Sequence, residues 1–183
     1  MKRNILLVLL FVPLLGRGQE KIYQTLQLKT GLYKTYDEFI NNAPSVTTSF
    51  TVRQKSNMGE QYTFDTKDGS KVGKVFGFCD GTTVYVHGLR LEGFHRLDHV
   101  GRYSFFLFAQ ARYSLATAML PDHLVIIDDG GTYRDGTVAY MERFLTSKDE
   151  VLGKEFASLG DRTTKKSKRQ EYLIKLNEKL KGN

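Results

Sequence analysis

The sequence contains a single cysteine and no tryptophan among its 183 residues. One cysteine cannot form an intramolecular disulfide, so the fold must be stabilised by packing. A chain with 40% hydrophobic and 12% aromatic residues is able to supply that packing. The same composition argues against intrinsic disorder, because disordered chains are poor in hydrophobic and aromatic residues. We expect one folded domain, or one domain with a short appendage.

Long hydrophobic runs are absent except at the N-terminus, where the apolar residues 5–15 follow two basic residues. This pattern is typical of a secretory signal peptide, whereas a membrane-spanning helix needs about 20 apolar residues. Cleavage after two nearby glycines would leave Gln19 as the mature N-terminus. We therefore predict a signal peptide at residues 1–18, export to the periplasm or the outside of the cell, and no transmembrane segment.

Apart from residues 1–18, positive charge is in excess only in the last part of the chain. Removal of residues 1–18, with their three basic side chains, lowers the net charge from +7 to +4. Residues 19–145 hold fourteen basic and fourteen acidic side chains, whereas residues 146–183 hold ten basic and six acidic ones. A nucleic-acid-binding protein usually combines a basic face with a recognisable reading element, which this sequence lacks. We expect no nucleic-acid partner.

Short runs of β-branched and aromatic residues, separated by turn residues, predict an antiparallel sheet in the middle of the chain. The predicted strands span residues 46–54, 61–66, 72–78, 83–87, 93–97, 102–109 and 124–128. Asp80 and Gly81 lie between two of these strands, and an Asp-Gly pair in that position is a strong hairpin signal. Residues 110–122 give a mixed pattern, which we interpret as a loop.

Helices are predicted at both ends of the sheet region. Thr35 and Glu38 form a capping box that opens a short N-terminal helix, and Ser147 and Glu150 repeat the pattern later in the chain. Thr137 is expected to cap a helical segment of one or two turns that lies between Thr137 and Ser147. These patterns predict an α+β fold, mainly an antiparallel sheet with a short N-terminal helix and C-terminal helices, over residues 19–160.

A basic amphipathic helix is predicted over residues 161–183, with its helical stretch running from about Lys165 to Lys181. Tyr172, Leu176 and Leu180 are spaced to share one face of that helix. The opposite face is charged.

Four segments of the sequence read GLYKTYDEFINNAPS, FGFCDGTTVYV, VGRYSFF and KKSKRQEYLIKLNEK. In this order they resemble a group of exported proteins of unknown function from Bacteroidota. The resemblance covers most of the mature chain and implies export and a small mixed domain with an antiparallel sheet and C-terminal helices. It implies no active-site residue, because the shared motifs are structural in character.

Few residues are candidates for catalysis or metal binding. Cys79 could act as a nucleophile with His87, His95 or His99 as its base, but no signature of a cysteine-hydrolase family surrounds it. A thiol on an apolar strand is more often a buried hydrophobic residue. His95 and His99 have a spacing that suits a metal on a helix, whereas on a strand they lie about 13 Å apart and cannot share an ion.

Two carboxylates next to glycines, Asp128 and Asp129, resemble part of a calcium-binding loop. The ordered pattern of an EF-hand is missing, so we interpret this segment as a polar turn. The sequence predicts neither a metal site nor a cofactor.

The function that the sequence favours is a non-enzymatic binding or interaction module of the cell envelope, acting through the sheet or the basic tail. A small hydrolase that uses Cys79 or a histidine and carboxylate pair is the alternative. The candidate contact residues in the tail are basic and lie at the start of the last helix: Lys165, Lys166, Lys168 and Arg169. We expect their partner to be an envelope protein, a polysaccharide or an anionic surface, and binding to weaken with salt.

Overall fold

The strands form two antiparallel sheets, and the helices pack mainly at the C-terminal end of the chain. The computed structural model describes residues 20–25, 27–55, 61–88, 93–108 and 123–181. The strands within these ranges are β1 (Gly31–Tyr33), β2 (Phe50–Gln54), β3 (Tyr62–Thr66), β4 (Gly77–Cys79), β5 (Val84–His87), β6 (Phe94–Arg96), β7 (Ser104–Phe108), β8 (His123–Ile127) and β9 (Tyr133–Asp135). The helices are α1 (Tyr36–Ile40), α2 (Val138–Lys148), α3 (Glu150–Ser158) and α4 (Arg162–Leu180). This architecture confirms the predicted α+β class.

The larger sheet is a six-stranded half-barrel with the strand order β1-β4-β5-β6-β3-β2. Its two edges approach each other where Leu32 of β1 forms an isolated antiparallel bridge with Val46, a few residues before β2. Both backbone hydrogen bonds of this bridge are present, at 2.8 and 3.4 Å. The bridge therefore curves the sheet into a half-barrel.

The two faces of the half-barrel bury different sets of side chains, because successive residues of a strand point to opposite faces. One face carries a cluster rich in aromatic rings, which we call the aromatic cluster. Its buried members are Leu32, Val75, Phe78 and Tyr85, and its partly buried members are Val46, Phe50, Val52, Tyr62, Phe64, Val72 and Phe94. The opposite face buries Tyr33, Cys79, Val84 and Val86 in a second cluster, shared with the smaller sheet.

The smaller sheet, with the order β7-β8-β9, is the middle layer of the protein. Phe106 and Ile127 lie on its face towards the half-barrel. Phe105, Leu124 and Ile126 point the other way, into a cluster with α2, α3 and α4. Because the side chains of β7 and β8 alternate between these two faces, the smaller sheet packs against both the half-barrel and the helical layer.

The predicted hairpin is present, with β4 paired to β5 and residues 80–83 as its loop. Asp80 shapes this loop, since its Oδ1 accepts hydrogen bonds from the amides of Thr82 and Thr83 at 2.9 and 2.8 Å. Gly81 has a φ of 104°, a conformation that favours glycine. The local sequence therefore predicted this turn correctly.

Several predicted element ends differ from the structure. The strands expected at residues 46–54 and 72–78 are shorter, Phe50–Gln54 and Gly77–Cys79, and neither β1 nor β9 was predicted. Residues 67–76 connect β3 to β4 and lie outside the strands, although β-branched residues in them favoured a strand. The predicted signal peptide and the loop at residues 110–122 lie outside the described residues.

The helix caps follow the predicted pattern in two of three cases. Thr35 accepts a hydrogen bond from the Glu38 amide, but the Glu38 carboxylate accepts from the Lys34 amide, one residue before the position that a capping box requires. Thr137 caps α2, although α2 is longer than the expected one or two turns. The prediction that Ser147 caps α3 is wrong, because Ser147 lies inside α2 and Asp149 is the cap. Helix α4 begins earlier than expected, after Asp161, whose side chain accepts a hydrogen bond from the Thr164 amide.

Candidate binding cleft

The only cysteine is buried at the interface between the half-barrel and the smaller sheet. The Cys79 side chain has no exposed surface, and its Sγ accepts a hydrogen bond from the Gly81 amide at 3.3 Å. Burial is the main cause that raises the pKa of the Cys79 thiol to about 11. The thiol is therefore protonated at neutral pH, which does not favour nucleophilic catalysis.

Two of the three candidate histidines pack in ring stacks, and His87 lines a cleft on the face of the half-barrel opposite to Cys79. His95 lies on β6, which confirms the prediction that it belongs to a strand. Its ring stacks on Phe106 at a centroid distance of 5.0 Å. Burial lowers the pKa of His95 to about 4. The His99 ring stacks on Phe105, and burial lowers its pKa as well. Among the described residues, no group of three potential metal ligands lies close enough to hold an ion.

The acidic turn after β8 is occupied by groups of the protein itself. Asp128 accepts backbone hydrogen bonds from Gly130 and Thr132, at 3.1 and 2.8 Å, and pairs with Arg134 at 3.2 Å. Asp129 accepts a hydrogen bond from the Tyr103 hydroxyl at 3.2 Å. These contacts hold the turn through its own amides and neighbouring side chains.

The four basic residues of α4 occupy different environments. Arg169 is buried, with 7% of its surface exposed, and its Nη1 donates to the Gly136 carbonyl at 2.6 Å. Lys165 forms an ion pair with Glu142 at 2.7 Å, and only 16% of its side chain is exposed. Lys168 pairs with Glu171 at 2.7 Å on the surface.

Lys166 is the one member of this set for which no described residue supplies a side-chain partner. Lys166 and Lys168 lie two residues apart on a helix, so their side chains point about 200° apart around the helix axis. The four residues therefore do not form a single basic patch, and their contact with a partner stays a prediction.

A cleft opens on the aromatic face of the half-barrel, between strand β3 and the connection that joins β3 to β4. Because β5 and β6 lie between β3 and β4 in the sheet, residues 67–76 must cross the sheet to join them. They carry Val72 and Val75 onto the aromatic cluster. The cleft, which is open to solvent and is bordered by this connection, β3 and the facing ends of β5 and β6, measures about 530 Å³.

Hydrogen bonds hold the start of the connection against β3. The Thr66 hydroxyl donates to the Ser70 carbonyl at 2.8 Å, and the Gly69 amide donates to the Thr66 carbonyl at 3.1 Å. Asp68 accepts hydrogen bonds from the Ser70 amide at 3.0 Å and from the Thr48 hydroxyl at 3.3 Å. The Ser70 amide is the largest cause that lowers the pKa of the Asp68 carboxyl. The cleft thus has a fixed wall.

The floor of the cleft is apolar. Phe64 and Phe94, whose ring centroids lie 5.6 Å apart, line it together with Val72 and Val75. Phe64, Phe94 and Val72 are only partly buried, so each retains surface that a ligand could cover. Ligand sites in proteins are typically concave and mostly apolar, with a small number of polar groups, and the mouths of barrels are a common location.

The rim of the cleft is polar. It includes Asp65 and Lys74, and also His87, whose ring meets Phe94 edge to face at a centroid distance of 5.3 Å. Asp65 forms an ion pair with Arg53 at 2.8 Å. The cleft can therefore hold an apolar body and contact a polar group at its edge.

Sequence reasoning named none of the cleft residues as functional except His87. The apolar side chains were visible as members of predicted strands, but their convergence depends on the strand order, which brings residues far apart in the chain together. One available signal was the crowding of three lysines and two glycines between residues 67 and 74, which suits an exposed connection more than a strand.

Taken together, the fold and the cleft define an α+β protein built on an aromatic-lined half-barrel. The chain belongs to a family of unknown function, DUF6563, whose profile matches residues 31–124. The matched region contains all six strands of the half-barrel and the residues of the cleft. Searches among curated proteins and among solved structures found no match. None of the helices described here has the length and hydrophobicity needed to cross a membrane.

Proposed function

We propose that the protein is an exported, non-enzymatic binding module of the cell envelope, and that the cleft of the half-barrel is its binding site. The observation that carries this proposal is the cleft of about 530 Å³ with three partly buried apolar side chains on its floor. Concave apolar surface of this kind gains free energy when a ligand removes it from water.

The hydrolase alternative has less support from the side chains that would perform the reaction. Cys79 is buried on the face of the half-barrel opposite to the aromatic cluster, and its pKa is raised. His87 lines the cleft, but Asp65, the acidic residue among the described lining residues, forms an ion pair with Arg53. A catalytic histidine and carboxylate pair needs hydrogen-bond contact between the two groups.

Export follows from the N-terminal sequence. An apolar run after two basic residues directs a chain to the secretion machinery, and cleavage before Gln19 would release the mature protein. Mass spectrometry of the protein purified from its own cells is expected to find a chain that begins at Gln19 or within a few residues of it. A native pool that retains the initiator methionine would contradict export.

The binding proposal is tested with N-phenyl-1-naphthylamine, an uncharged apolar probe whose fluorescence rises when it leaves water. We expect the protein to bind this probe with a saturable signal that disappears on unfolding in urea. Val72→Ser removes apolar surface from the cleft and is expected to weaken binding about three- to tenfold, since about 1 kcal/mol of apolar contact is lost.

The matched control is Val151→Ser, the same substitution at a valine that is 68% exposed on α3. It should leave probe binding unchanged. Equal effects of the two substitutions, or no saturable binding by the wild-type protein, would contradict the proposal that the cleft is the site.

A further inference from the structure

Some of the charged side chains around the cleft have a partner within the part of the chain that the structure describes, and one does not. Of the two acidic residues beside it, Asp65 is paired with Arg53, and Asp68 accepts hydrogen bonds from Ser70 and Thr48. Lys74 lines the cleft, and among the described residues none accepts a hydrogen bond from its ammonium group or forms an ion pair with it. Among the described residues of the rim, the charge that lacks a partner is therefore the positive charge of Lys74.

The position of this charge relative to the apolar floor determines which ligands fit. Lys74 lies between Val72, whose side chain is part of the floor, and Val75, which is buried in the aromatic cluster. A ligand whose apolar body covers Phe64 and Phe94 would bring any polar end to the same rim. Water is displaced from this region when the floor is covered, and a charge interaction gains strength as the local dielectric constant falls.

We propose that the natural ligand is a small amphipathic organic anion, bound as a single molecule, with its apolar body on the floor of the cleft and its anionic group at Lys74. The shared chemistry is that of a carboxylate, sulfonate or phosphate ester attached to a flat or extended hydrocarbon group. This inference rests on the proposed function, because it assigns a ligand class to the same cleft.

Two related probes separate the two proposals. N-phenyl-1-naphthylamine and 8-anilino-1-naphthalenesulfonate share one aromatic skeleton and differ by a sulfonate, so the uncharged probe reports the apolar floor and the charged probe also reports the rim. We expect the wild-type protein to bind the sulfonate more tightly than the uncharged probe at low salt. The preference should shrink as salt is added, because exposed charges are screened within about 8 Å at physiological ionic strength.

Lys74→Gln is the decisive variant. It is expected to weaken binding of the sulfonate about two- to fivefold, the range for a partly exposed ion pair, and to leave binding of the uncharged probe unchanged. Lys71→Gln is the matched control, since Lys71 lies in the same connection, is exposed and does not line the cleft. It changes the net charge by the same amount and should leave both affinities as they are.

The outcomes can be told apart. If the uncharged probe binds and responds to Val72→Ser but the sulfonate has no preference and no response to Lys74→Gln, the ligand class is wrong and the cleft remains the binding site. If Lys71→Gln and Lys74→Gln weaken the sulfonate equally, the effect is one of net charge, and the assignment to Lys74 is overturned. If neither probe binds, both proposals fail. Sedimentation of the protein with phosphatidylglycerol vesicles, without binding of either monomeric probe, would replace the single-molecule ligand with a lipid surface.

Discussion

Replacement of Asn177 tests how α4 is attached to the smaller sheet. The Asn177 side chain is 2% exposed, and its amide makes two hydrogen bonds with the backbone of Tyr103. Its Oδ1 accepts from the Tyr103 amide and its Nδ2 donates to the Tyr103 carbonyl, both at 2.9 Å. The side chain thus satisfies the backbone of Tyr103 as a neighbouring strand would.

Asn177→Ala is expected to lower the free energy of unfolding by about 2 to 6 kcal/mol. The substitution leaves two buried backbone groups without a partner, and each such group costs about 1 to 3 kcal/mol. The measurement is urea unfolding at neutral pH, with the difference taken from the midpoints at constant slope. Glu178→Ala, at the next and exposed position of α4, is the control and should change stability by less than about 0.5 kcal/mol.

Asn177→Asp adds a test of the geometry that does not depend on side-chain volume. An ionised carboxylate still accepts from the Tyr103 amide, but its second oxygen faces the Tyr103 carbonyl and is repelled. A protonated carboxyl group can donate there instead, so folding raises the pKa of the introduced group above its ordinary value of about 3.9. The deficit relative to wild type at the same pH should be smallest below that value and should grow as the pH rises. A deficit below about 1 kcal/mol for Asn177→Ala, or a deficit of Asn177→Asp that does not vary with pH, would refute the proposed role.

Three further predictions concern Cys79, His95 and the basic residues of α4. Cys79→Ser should cost about 1 to 3 kcal/mol because it places a hydroxyl in an apolar site, whereas Cys79→Ala should be mild; rapid alkylation of the folded protein at neutral pH would instead indicate an exposed thiolate. Because burial lowers the pKa of His95 to about 4, its protonation favours the unfolded chain, so up to about 3 kcal/mol of stability should be lost as the pH falls from about 6.5 towards 4. His95→Leu should flatten that part of the stability profile, and an unchanged profile would assign the loss to other groups. Replacement of Lys166 and Lys168 with Gln, which spares the buried Arg169, should reduce envelope association at low salt if the tail is a contact; association and salt dependence that persist would argue against it.

Features that depend on neighbours in the chain were predicted well from the sequence. The turn at Asp80 and Gly81, the cap of α1 at Thr35 and the cap of α2 at Thr137 are each made by hydrogen bonds between residues at most three positions apart. Local hydrogen bonds determine these structures, so a short stretch of sequence contains the whole cause.

The error at Ser147 has a local cause as well. Two adjacent stretches each offered a capping residue, and Asp149 lies directly before α3 while Ser147 lies at the end of α2. The Ser147 hydroxyl donates to the Phe144 carbonyl within its own helix. Because α2 is longer than expected, the residue that was interpreted as a start of one helix belongs to the end of another.

Arg169 shows what a charge pattern alone does not reveal. It precedes Tyr172 by three residues and Leu176 by seven, so helical spacing places it on the buried face of α4. Its positive charge suggested exposure, but the guanidinium finds a carbonyl partner at Gly136. The spacing was therefore a better guide to its environment than the residue type.

The cleft could not be derived from the sequence, because its walls come from a strand order that no local signal determines. Val72 and Phe94 meet only because the connection after β3 passes over two strands to reach β4. A β-branched run such as residues 72–76 satisfies the pattern of a strand whether it pairs with neighbours or crosses above them.

The arrangement of the smaller sheet bears on which piece of this chain can be studied alone. A fragment of residues 31–124 contains the matched family region but ends after two residues of β8. It would leave Tyr103 and Phe105, which the helical layer covers, in contact with water. We infer that the region recognised by the family profile and the cooperative unit of folding have different boundaries. Domain truncation, fusion and binding experiments should therefore retain the chain through α4.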